Sequence, residues 1–177
     1  MSSETFTIGK YIYAKPAIGK GSFSKVYRGV NSITQETVAI KKIDVKSLKR
    51  TIVEKLSKEV ELIGQMNHHN IVKLEEVLRD ENNIYIVTEF CQGSLKDIIK
   101  RPMDEEEVYH YMKQIKNGMQ YLLKANVLHR DMKPGNVLIT YLDPKQISGD
   151  YSELVIKIAD FGFAKYFETE DKMFENP

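Results

Sequence analysis

Residues 129–136 hold a dense set of side chains that could do chemistry. The segment reads His129-Arg-Asp131-Met-Lys133-Pro-Gly-Asn136. Asp131 could accept the proton of an incoming hydroxyl, Lys133 could hold a phosphoryl oxygen, and Asn136 offers an amide oxygen to a hard cation. Taken alone, the His-Arg-Asp tripeptide could be a salt-bridged turn that arose by chance. All of these residue types rarely occur together at this spacing by chance. We interpret His129 as a packed structural histidine rather than a base or a metal ligand.

A second carboxylate follows a short apolar segment. The sequence Ile158-Ala-Asp160-Phe161-Gly162 places Asp160 between a predicted strand and a bulky aromatic residue. A carboxylate at such a hinge could hold a cation. Taken alone, the same pattern is an ordinary strand-to-turn transition.

Two glycines near the amino terminus could bring backbone N–H groups close to phosphates. The segment reads Ile18-Gly19-Lys20-Gly21-Ser22-Phe23-Ser24-Lys25-Val26. Glycine lacks the Cβ that would obstruct an anion, although a tight hairpin turn is the alternative interpretation. A strand rather than a helix follows, which disfavours a dinucleotide site, and no Walker-type ending is present.

Lys41 is the candidate lysine of the predicted strand 37–44. Residues two apart in a strand share a face, so Ala39 and Lys41 point together and Lys42 points away. A small alanine beside a lysine suits a flat ring next to a phosphate, and Glu59 could supply the anion that a buried lysine needs. The alternative is that Lys41 and Lys42 are ordinary solvated lysines.

The predicted secondary structure that must position these groups changes from mostly strands to mostly helix near residues 89–93. The first part reads as an antiparallel meander with one helix. Its predicted strands cover residues 11–14, 24–30, 37–44, 71–78 and 84–90, and its helix presents Val53, Leu56, Val60 and Ile63. The second part has a helix over 103–124, with Asp104 as its cap, and two short strands. The helix stripe is Val108, Met112, Ile115, Met119 and Leu122, and the strands cover 137–139 and 154–158.

Composition narrows the class of protein further. The 177 residues are 42% hydrophobic and 29% charged, with a net charge of +1. This balance does not predict a nucleic-acid partner, although weak or single-stranded binding stays open. The single cysteine, Cys91, excludes an internal disulfide framework and a cysteine-based zinc site. No apolar run approaches the ~20 residues of a transmembrane segment, and no secretory signal is present, so we expect a cytoplasmic protein.

Together these motifs resemble the eukaryotic protein kinase signature in its usual order, over residues 8–167. The resemblance implies a two-lobed α+β fold, with an antiparallel amino-terminal lobe at about 8–90 and an incomplete helical lobe at 94–177. It also implies transfer of the γ-phosphate of ATP to a protein serine or threonine hydroxyl with Mg²⁺. Lys133 is typical of Ser/Thr kinases. The run around Asp160 and the loop 140–153 are similar to the Unc-51-like kinases that initiate autophagy.

The same resemblance assigns roles to residues. Asp131 would be the catalytic base and Lys133 its electrostatic partner, while Asn136 and Asp160 would hold two Mg²⁺ ions. ATP would be bound by Ile18, Gly19, Lys20, Gly21, Ser22, Phe23, Ser24, Lys25, Val26, Ala39, Lys41, Glu59, Glu89, Cys91 and Leu138. Thr88 would be the gatekeeper, residues 89–91 the hinge that binds adenine, and Ile63, Leu74, His129 and Phe161 a regulatory spine. Ser24 stands where the family usually has a third glycine.

The family pattern stops after Gly162, since only 15 residues follow and none forms an Ala-Pro-Glu motif. We therefore expect a truncated kinase domain that is a poor enzyme alone, with part of the apolar stripe of the helix 103–124 uncovered. Thr169 is interpreted as a solvated residue rather than a phosphorylation site. One alternative is a nucleotide-binding, kinase-like scaffold without catalysis. A small-molecule phosphotransferase is disfavoured by the intact Val-Ala-Ile-Lys and His-Arg-Asp motifs.

Overall fold

A computed structural model gives the fold of the chain as two compact units. The structure describes residues 4–21, 24–46, Leu48, Val53, 60–62, 64–142, 150–162 and 164–167. Unit one comprises residues 1–67 and 72–92, and unit two comprises residues 68–71 and 93–177.

Unit one is built on an antiparallel sheet of strands rich in β-branched and aromatic residues. Its strands are β1 (Thr5–Ile8), β2 (Tyr11–Ala14), β3 (Gly19–Lys20), β4 (Ser24–Asn31), β5 (Thr37–Asp44), β6 (Leu74–Arg79) and β7 (Asn83–Glu89). They lie in the order β1-β2-β4-β5-β7-β6, with β3 paired to β4. The predicted antiparallel meander is confirmed for β2, β4 and β5, whereas β5 pairs next with β7 and β6 lies at the edge of the sheet. Strand β1 lies outside the predicted elements, and the strand predicted at 71–78 begins at Leu74.

The two faces of this sheet have different cores because alternate strand residues point to opposite sides. One face carries a mostly aromatic cluster made of Tyr11, Tyr13, Tyr27, Val38, Ile40, Tyr85 and Val87. The other carries Ile43, Ile84 and Ile86, covered in part by Val60. Val60 belongs to a helical segment, as predicted. Leu56, Glu59 and Ile63 of that predicted helix lie outside the described residues.

Unit two combines a long helix with short strands. Its elements are β8 (Gly93–Ser94), α1 (Leu95–Ile98), α2 (Glu105–Lys124), β9 (Val127–Leu128), β10 (Val137–Tyr141), β11 (Leu154–Ile158) and β12 (Lys165–Tyr166). The strands pair in the order β11-β10-β8, and β12 pairs with β9. Asp104 caps α2 as predicted, because its side chain accepts a 2.7 Å hydrogen bond from the Glu107 N–H.

The buried face of α2 differs from the predicted stripe. Val108 and Met112 are 40% and 56% exposed, whereas Tyr111, outside the predicted stripe, is almost completely buried. Leu122 of the stripe is buried as predicted. Part of the predicted apolar stripe is therefore uncovered, as expected. Among the described helices, none is both long and apolar enough to cross a bilayer.

Polar groups and one glycine explain why the buried face of α2 differs from the predicted stripe. Glu107 is buried at the start of α2, where it pairs with Arg101 and accepts a 2.7 Å hydrogen bond from the Tyr111 hydroxyl. Hydropathy patterns do not reveal a buried glutamate that is paired with an exposed arginine. Farther along, a Cβ on Gly118 would lie 3.0 Å from the Asn70 carbonyl oxygen, so the glycine allows the helix to pack closely.

Candidate active site

The candidate residues fall into two groups, one in each unit, and each group is described by itself. In unit one the first feature is the glycine turn between β3 and β4. Gly19 pairs with Val26, and the Gly21 N–H donates a 2.9 Å hydrogen bond to the Ser24 carbonyl oxygen. A Cβ on Gly21 would lie 2.8 Å from the Ser24 Oγ, a contact that rotation of the serine side chain can relieve. Ser22 and Phe23 lie outside the described residues.

The nucleotide-facing candidates of unit one share one face of its sheet. Val26 and Lys41 are cross-strand partners, and Ala39 pairs with Thr88. Directly paired residues point to the same side, so all four side chains lie on the face opposite the aromatic cluster. The strand-period prediction that Lys41, rather than Lys42, shares the face of Ala39 is confirmed.

The predicted hinge follows β7. The Glu89 N–H donates a 3.0 Å hydrogen bond to the Lys73 carbonyl oxygen, and the Glu89 carboxylate accepts one of 2.7 Å from the Lys73 N–H. The Arg28 guanidinium lies 5.2 Å from the centre of the Phe90 ring. Cys91 is half-buried. These contacts fix the start of the segment, and its binding to adenine stays a prediction.

In unit two, the Asp131 carboxylate is the centre of a hydrogen-bonded cluster. Its Oδ2 accepts a 2.7 Å bond from the Lys133 Nζ and a 2.9 Å bond from the Asn136 Nδ2. The Lys133 ammonium, by its hydrogen bond, holds the pKa of Asp131 below its usual range, and Asp131 in turn raises the pKa of Lys133. Asp131 is therefore ionised at neutral pH and able to orient a hydroxyl.

His129 supports this loop from beneath. It is 1% exposed and its ring centre lies 5.0 Å from that of Phe161. Its Nδ1 accepts from the Asp131 N–H at 3.3 Å, so its Nε2 carries the proton and donates to the Ala159 carbonyl oxygen at 3.0 Å. With both ring nitrogens engaged, His129 is a structural residue, as interpreted from the sequence.

Asn136 and Asp160 are brought together by the pairing of β10 with β11. Val137 pairs with Ile158, and the Ala159 N–H donates a 2.9 Å hydrogen bond to the Asn136 carbonyl oxygen. The charge of Asp160 is close enough to contribute to the raised pKa of Lys133. Asp160 has φ = +65°, a left-handed backbone conformation that is uncommon for a non-glycine residue and often occurs at functional sites.

These two residues fit a magnesium ion that is shared with phosphates. Both Asn136 Nδ2 hydrogen bonds go to Asp131, to its Oδ2 and its backbone oxygen, which leaves the Asn136 Oδ1 as an oxygen ligand. No group of three His, Cys, Asp or Glu side chains among the described residues could hold a metal ion. Mg²⁺ commonly takes one or two protein oxygens and completes its shell with water and substrate phosphates.

Two features of the site escaped the sequence patterns. Asn136 was assigned to metal alone, but it also holds Asp131, a double role that its five-residue spacing could have suggested. Arg130 adopts φ = +64°, for which no residue type in the segment gave a signal. Leu138 lies on β10 opposite Ser94 and Lys157, and Leu74 begins β6; their predicted roles stay predictions.

Comparison with known proteins identifies the family. Residues 13–176 match the protein kinase domain. The chain is 36% identical over 172 residues to the serine/threonine-protein kinase atg1 of Dictyostelium discoideum, covering 91% of this chain and 24% of that protein. It is 33% identical over 170 residues to the serine/threonine-protein kinase ULK1 of Homo sapiens, covering 93% and 16%.

The likeness extends beyond this group of kinases. Calcium-dependent protein kinase 5 of Plasmodium berghei is 40% identical over 157 residues, which cover 87% of this chain and 26% of that protein. The chain thus spans about a quarter or less of the length of these three relatives. The resemblance to Ser/Thr kinases, including the atg1 and ULK1 group, is confirmed: the chain belongs to the protein kinase domain family.

Proposed function

We propose that this chain binds ATP with Mg²⁺ and transfers the γ-phosphate to a serine or threonine hydroxyl of a protein. The supporting observation is the cluster in which Lys133 and Asn136 together hold the ionised Asp131 carboxylate. Relatives named serine/threonine-protein kinases support a protein hydroxyl as the acceptor. A single cysteine is in keeping with a cytoplasmic location.

The residues of unit two would handle the acceptor and the transferred group. Asp131 would accept a hydrogen bond from the substrate hydroxyl and take its proton as the oxygen attacks the γ-phosphorus. The bond from the γ-phosphorus to the bridging oxygen breaks, and ADP leaves with that oxygen. The Lys133 ammonium would hold an oxygen of the moving phosphoryl group. Asn136 and Asp160 would hold Mg²⁺, which when bound neutralises charge on the phosphate oxygens.

The residues of unit one would hold the nucleotide. The glycine turn would bring backbone N–H groups to the phosphates, Lys41 would pair with the α- and β-phosphates, and Ala39 would contact the ring. The proposed set is Ile18, Gly19, Lys20, Gly21, Ser22, Phe23, Ser24, Lys25, Val26, Ala39, Lys41, Glu59, Glu89 and Cys91, with Leu138 from unit two. The shared face of Val26, Ala39 and Lys41 supports the placement of these three residues. Lys25 pairs with Lys42 and lies on the opposite face, so its place in the set rests on the resemblance alone.

Nucleotide binding is tested by the melting temperature with and without Mg²⁺ and ATP. We expect a rise for the wild-type chain and a much smaller rise for Lys41→Met. The matched control is Lys42→Met, which changes the neighbouring lysine on the opposite face and should keep the rise. Equal rises in both variants would show that Lys41 does not bind the nucleotide.

Transfer is tested with labelled ATP and a generic protein substrate. Asp131→Asn should keep the nucleotide-induced rise in melting temperature and lower the transfer rate by about 10²-fold or more, the usual contribution of a positioned base. Transfer that is unaffected by this substitution would contradict the proposed role. Binding of nucleotide without any transfer by the wild-type chain would favour the scaffold alternative.

A further inference from the structure

A cavity of about 570 Å³ lies in unit one on the sheet face opposite Lys41. We call it the outer cavity. Its basic lining residues are Lys15, Lys20, Lys25 and Lys42, and its aromatic ones include Tyr13 and Tyr27. Lys42 and Tyr27 lie on this face because they alternate with Lys41 and Val26 along β5 and β4. The outer cavity therefore lies on the face opposite Ala39 and Lys41, although Lys20, Gly21, Ser24 and Lys25 of the proposed nucleotide-binding set also line it.

Three of the lysines form a row across neighbouring strands. Lys20 pairs directly with Lys25, and Lys25 pairs directly with Lys42. Within the described part of the chain, no carboxylate lies within ion-pair distance of any of the three. Like charges placed opposite one another destabilise a sheet, so this row favours an anion that would neutralise it.

The floor of the outer cavity is aromatic and already packed. Tyr13 and Tyr27 are 4% and 7% exposed, with ring centres 5.0 Å apart, and Phe6 stacks on Tyr13 at 5.3 Å. The Lys42 Nζ lies 5.5 Å from the centre of the Tyr85 ring. The rings are thus fixed before any ligand arrives, and one cation is held near them. Because Tyr13 and Tyr27 are almost completely buried, an apolar group of an occupant would contact only the small part of these rings that lines the cavity.

Two carboxylates at the outer cavity restrict the class of anion. Glu4 forms a 2.7 Å ion pair with Lys15, and Asp44 also lines the cavity. These charges would repel an extended polyanion such as a nucleic acid, and a concave site does not fit a flat bilayer surface. The volume matches a few side chains of a peptide. A phosphorylated side chain brings nearly two negative charges and three acceptor oxygens, which suits three lysines.

We propose that the outer cavity binds a peptide segment carrying phosphoserine or phosphothreonine next to an apolar residue. The phosphate would lie on the row of Lys20, Lys25 and Lys42. The apolar neighbour would pack on the floor formed by Tyr13 and Tyr27. This site goes beyond the proposed kinase activity, but Lys20 and Lys25 belong to both proposed residue sets. The test therefore uses Lys42, which belongs to the outer cavity alone.

The test uses a fluorescein-labelled short peptide with one phosphoserine between two leucines, and its unphosphorylated twin, in anisotropy titrations of the chain. We expect the twin to bind at least roughly tenfold more weakly, because charge-assisted hydrogen bonds are lost. Lys42→Glu should weaken phosphopeptide binding by roughly tenfold. The matched control Lys116→Glu, an exposed lysine of α2, should leave it unchanged.

Several results would overturn the proposal. These are equal affinity for the two peptides, no effect of Lys42→Glu, or inorganic phosphate competing as well as unlabelled phosphopeptide. Binding of phosphatidylserine vesicles that Lys42→Glu abolishes, without peptide binding, would instead assign the cavity to a membrane. Circular dichroism checks that Lys42→Glu is folded. If it is not, the milder Lys42→Gln is used instead, with an expected loss of phosphopeptide affinity of about threefold.

The two proposals fail in distinguishable ways. Lys42→Glu should keep the rise in melting temperature with Mg²⁺ and ATP, since Lys42 and Lys41 lie on opposite faces. An absent rise in the wild-type chain would contradict nucleotide binding and leave the peptide titration interpretable. A lost rise in Lys42→Glu alone would show that the two faces are not independent and would overturn the separate outer site.

Discussion

Unit one and unit two place their candidate functional groups by different means. In unit one, Ala39 and Lys41 share a face because they are two apart in a paired strand, so the backbone ladder sets their position. In unit two, Asp131 and Asn136 lie in short turns, where they are held by each other's hydrogen bonds. Asp160 follows the end of a strand, in a left-handed conformation.

This difference predicts how far the structural effect of a single substitution extends beyond the substituted residue. A side-chain change on a strand face removes its own contacts and leaves the ladder in place. A change in the turn cluster also releases its partners, because side-chain networks stabilise more than the sum of their pairs. Single substitutions should therefore be more disruptive in the turns of unit two than on strands β4 and β5 of unit one.

The largest contrast is expected between Asn136→Ala and Val26→Ala. The first removes both hydrogen bonds to Asp131 and the oxygen proposed for Mg²⁺, so transfer should fall by roughly 10²-fold or more. The melting temperature should fall as well, since Asn136 is buried. Val26→Ala should weaken nucleotide binding by a few-fold only, because it removes the contacts of two methyl groups on a half-buried side chain. If the two variants lost the same amount of transfer rate and the same amount of melting temperature, the expected contrast between unit two and unit one would be contradicted.

Within unit two, Gly118→Ala tests whether helix packing supports the strand that leads to Asp160. Its Cβ would meet the Ile158 Cδ1 at 2.8 Å and the Asn70 oxygen at 3.0 Å, which should cost about 1–3 kcal/mol of unfolding free energy. Urea denaturation measures the change. Gly93→Ala is the control, because nothing lies within 4 Å of its added Cβ, and a similar loss there would rule out close packing as the cause.

Unit one also contains turns that are held by side chains, and the turn at Asp80 sharpens the comparison. Asp80 accepts 2.8 Å hydrogen bonds from the Asn82 and Asn83 N–H groups and one of 2.7 Å from the Tyr85 hydroxyl. These bonds lower the pKa of Asp80 from 3.8 to about 2, and the bond from the Asn82 N–H has the largest effect. We expect Asp80→Ala to lower the unfolding free energy by about 1–2 kcal/mol at pH 7.

The sign of the pH dependence follows from the lowered pKa of Asp80. The stability that it contributes is present above the ordinary pKa of 3.8 and is lost as the pH falls toward about 2. The difference between wild type and Asp80→Ala in urea titrations should therefore shrink across that interval. Glu81→Ala, an exposed neighbour, is the control. A difference that stays constant with pH would exclude the ionised carboxylate as the source.

The smallest effect is expected at the start of α2. Asp104→Ala removes the cap bond to the Glu107 N–H and should cost about 1 kcal/mol, whereas Asp104→Asn should be nearly neutral. Thermal unfolding measures both. If the Asn variant lost as much as the Ala variant, the helix dipole rather than the hydrogen bond would be responsible.

The sequence patterns succeeded where local rules decide the structure. Strand alternation predicted the face of Lys41, and residue type with position predicted the Asp104 cap. They failed where distant contacts decide, as for the buried Glu107 that needs Arg101 and Tyr111. The hydrogen bonds of Gln114 to the Asn70 side chain and to the β11 backbone likewise join residues too far apart in sequence for any local pattern.

Asp160 and Arg130 both have a left-handed backbone conformation, which glycine adopts more easily than other residues. At position 160 this backbone preference opposes the proposed role in metal binding. Glycine adopts φ values near +65° without steric cost, so Asp160→Gly would relax the backbone while deleting a proposed metal ligand. Laboratory evolution for heat resistance would then enrich glycine at position 160, whereas evolution for turnover would keep the carboxylate there. This is a position where durability and function select different residues.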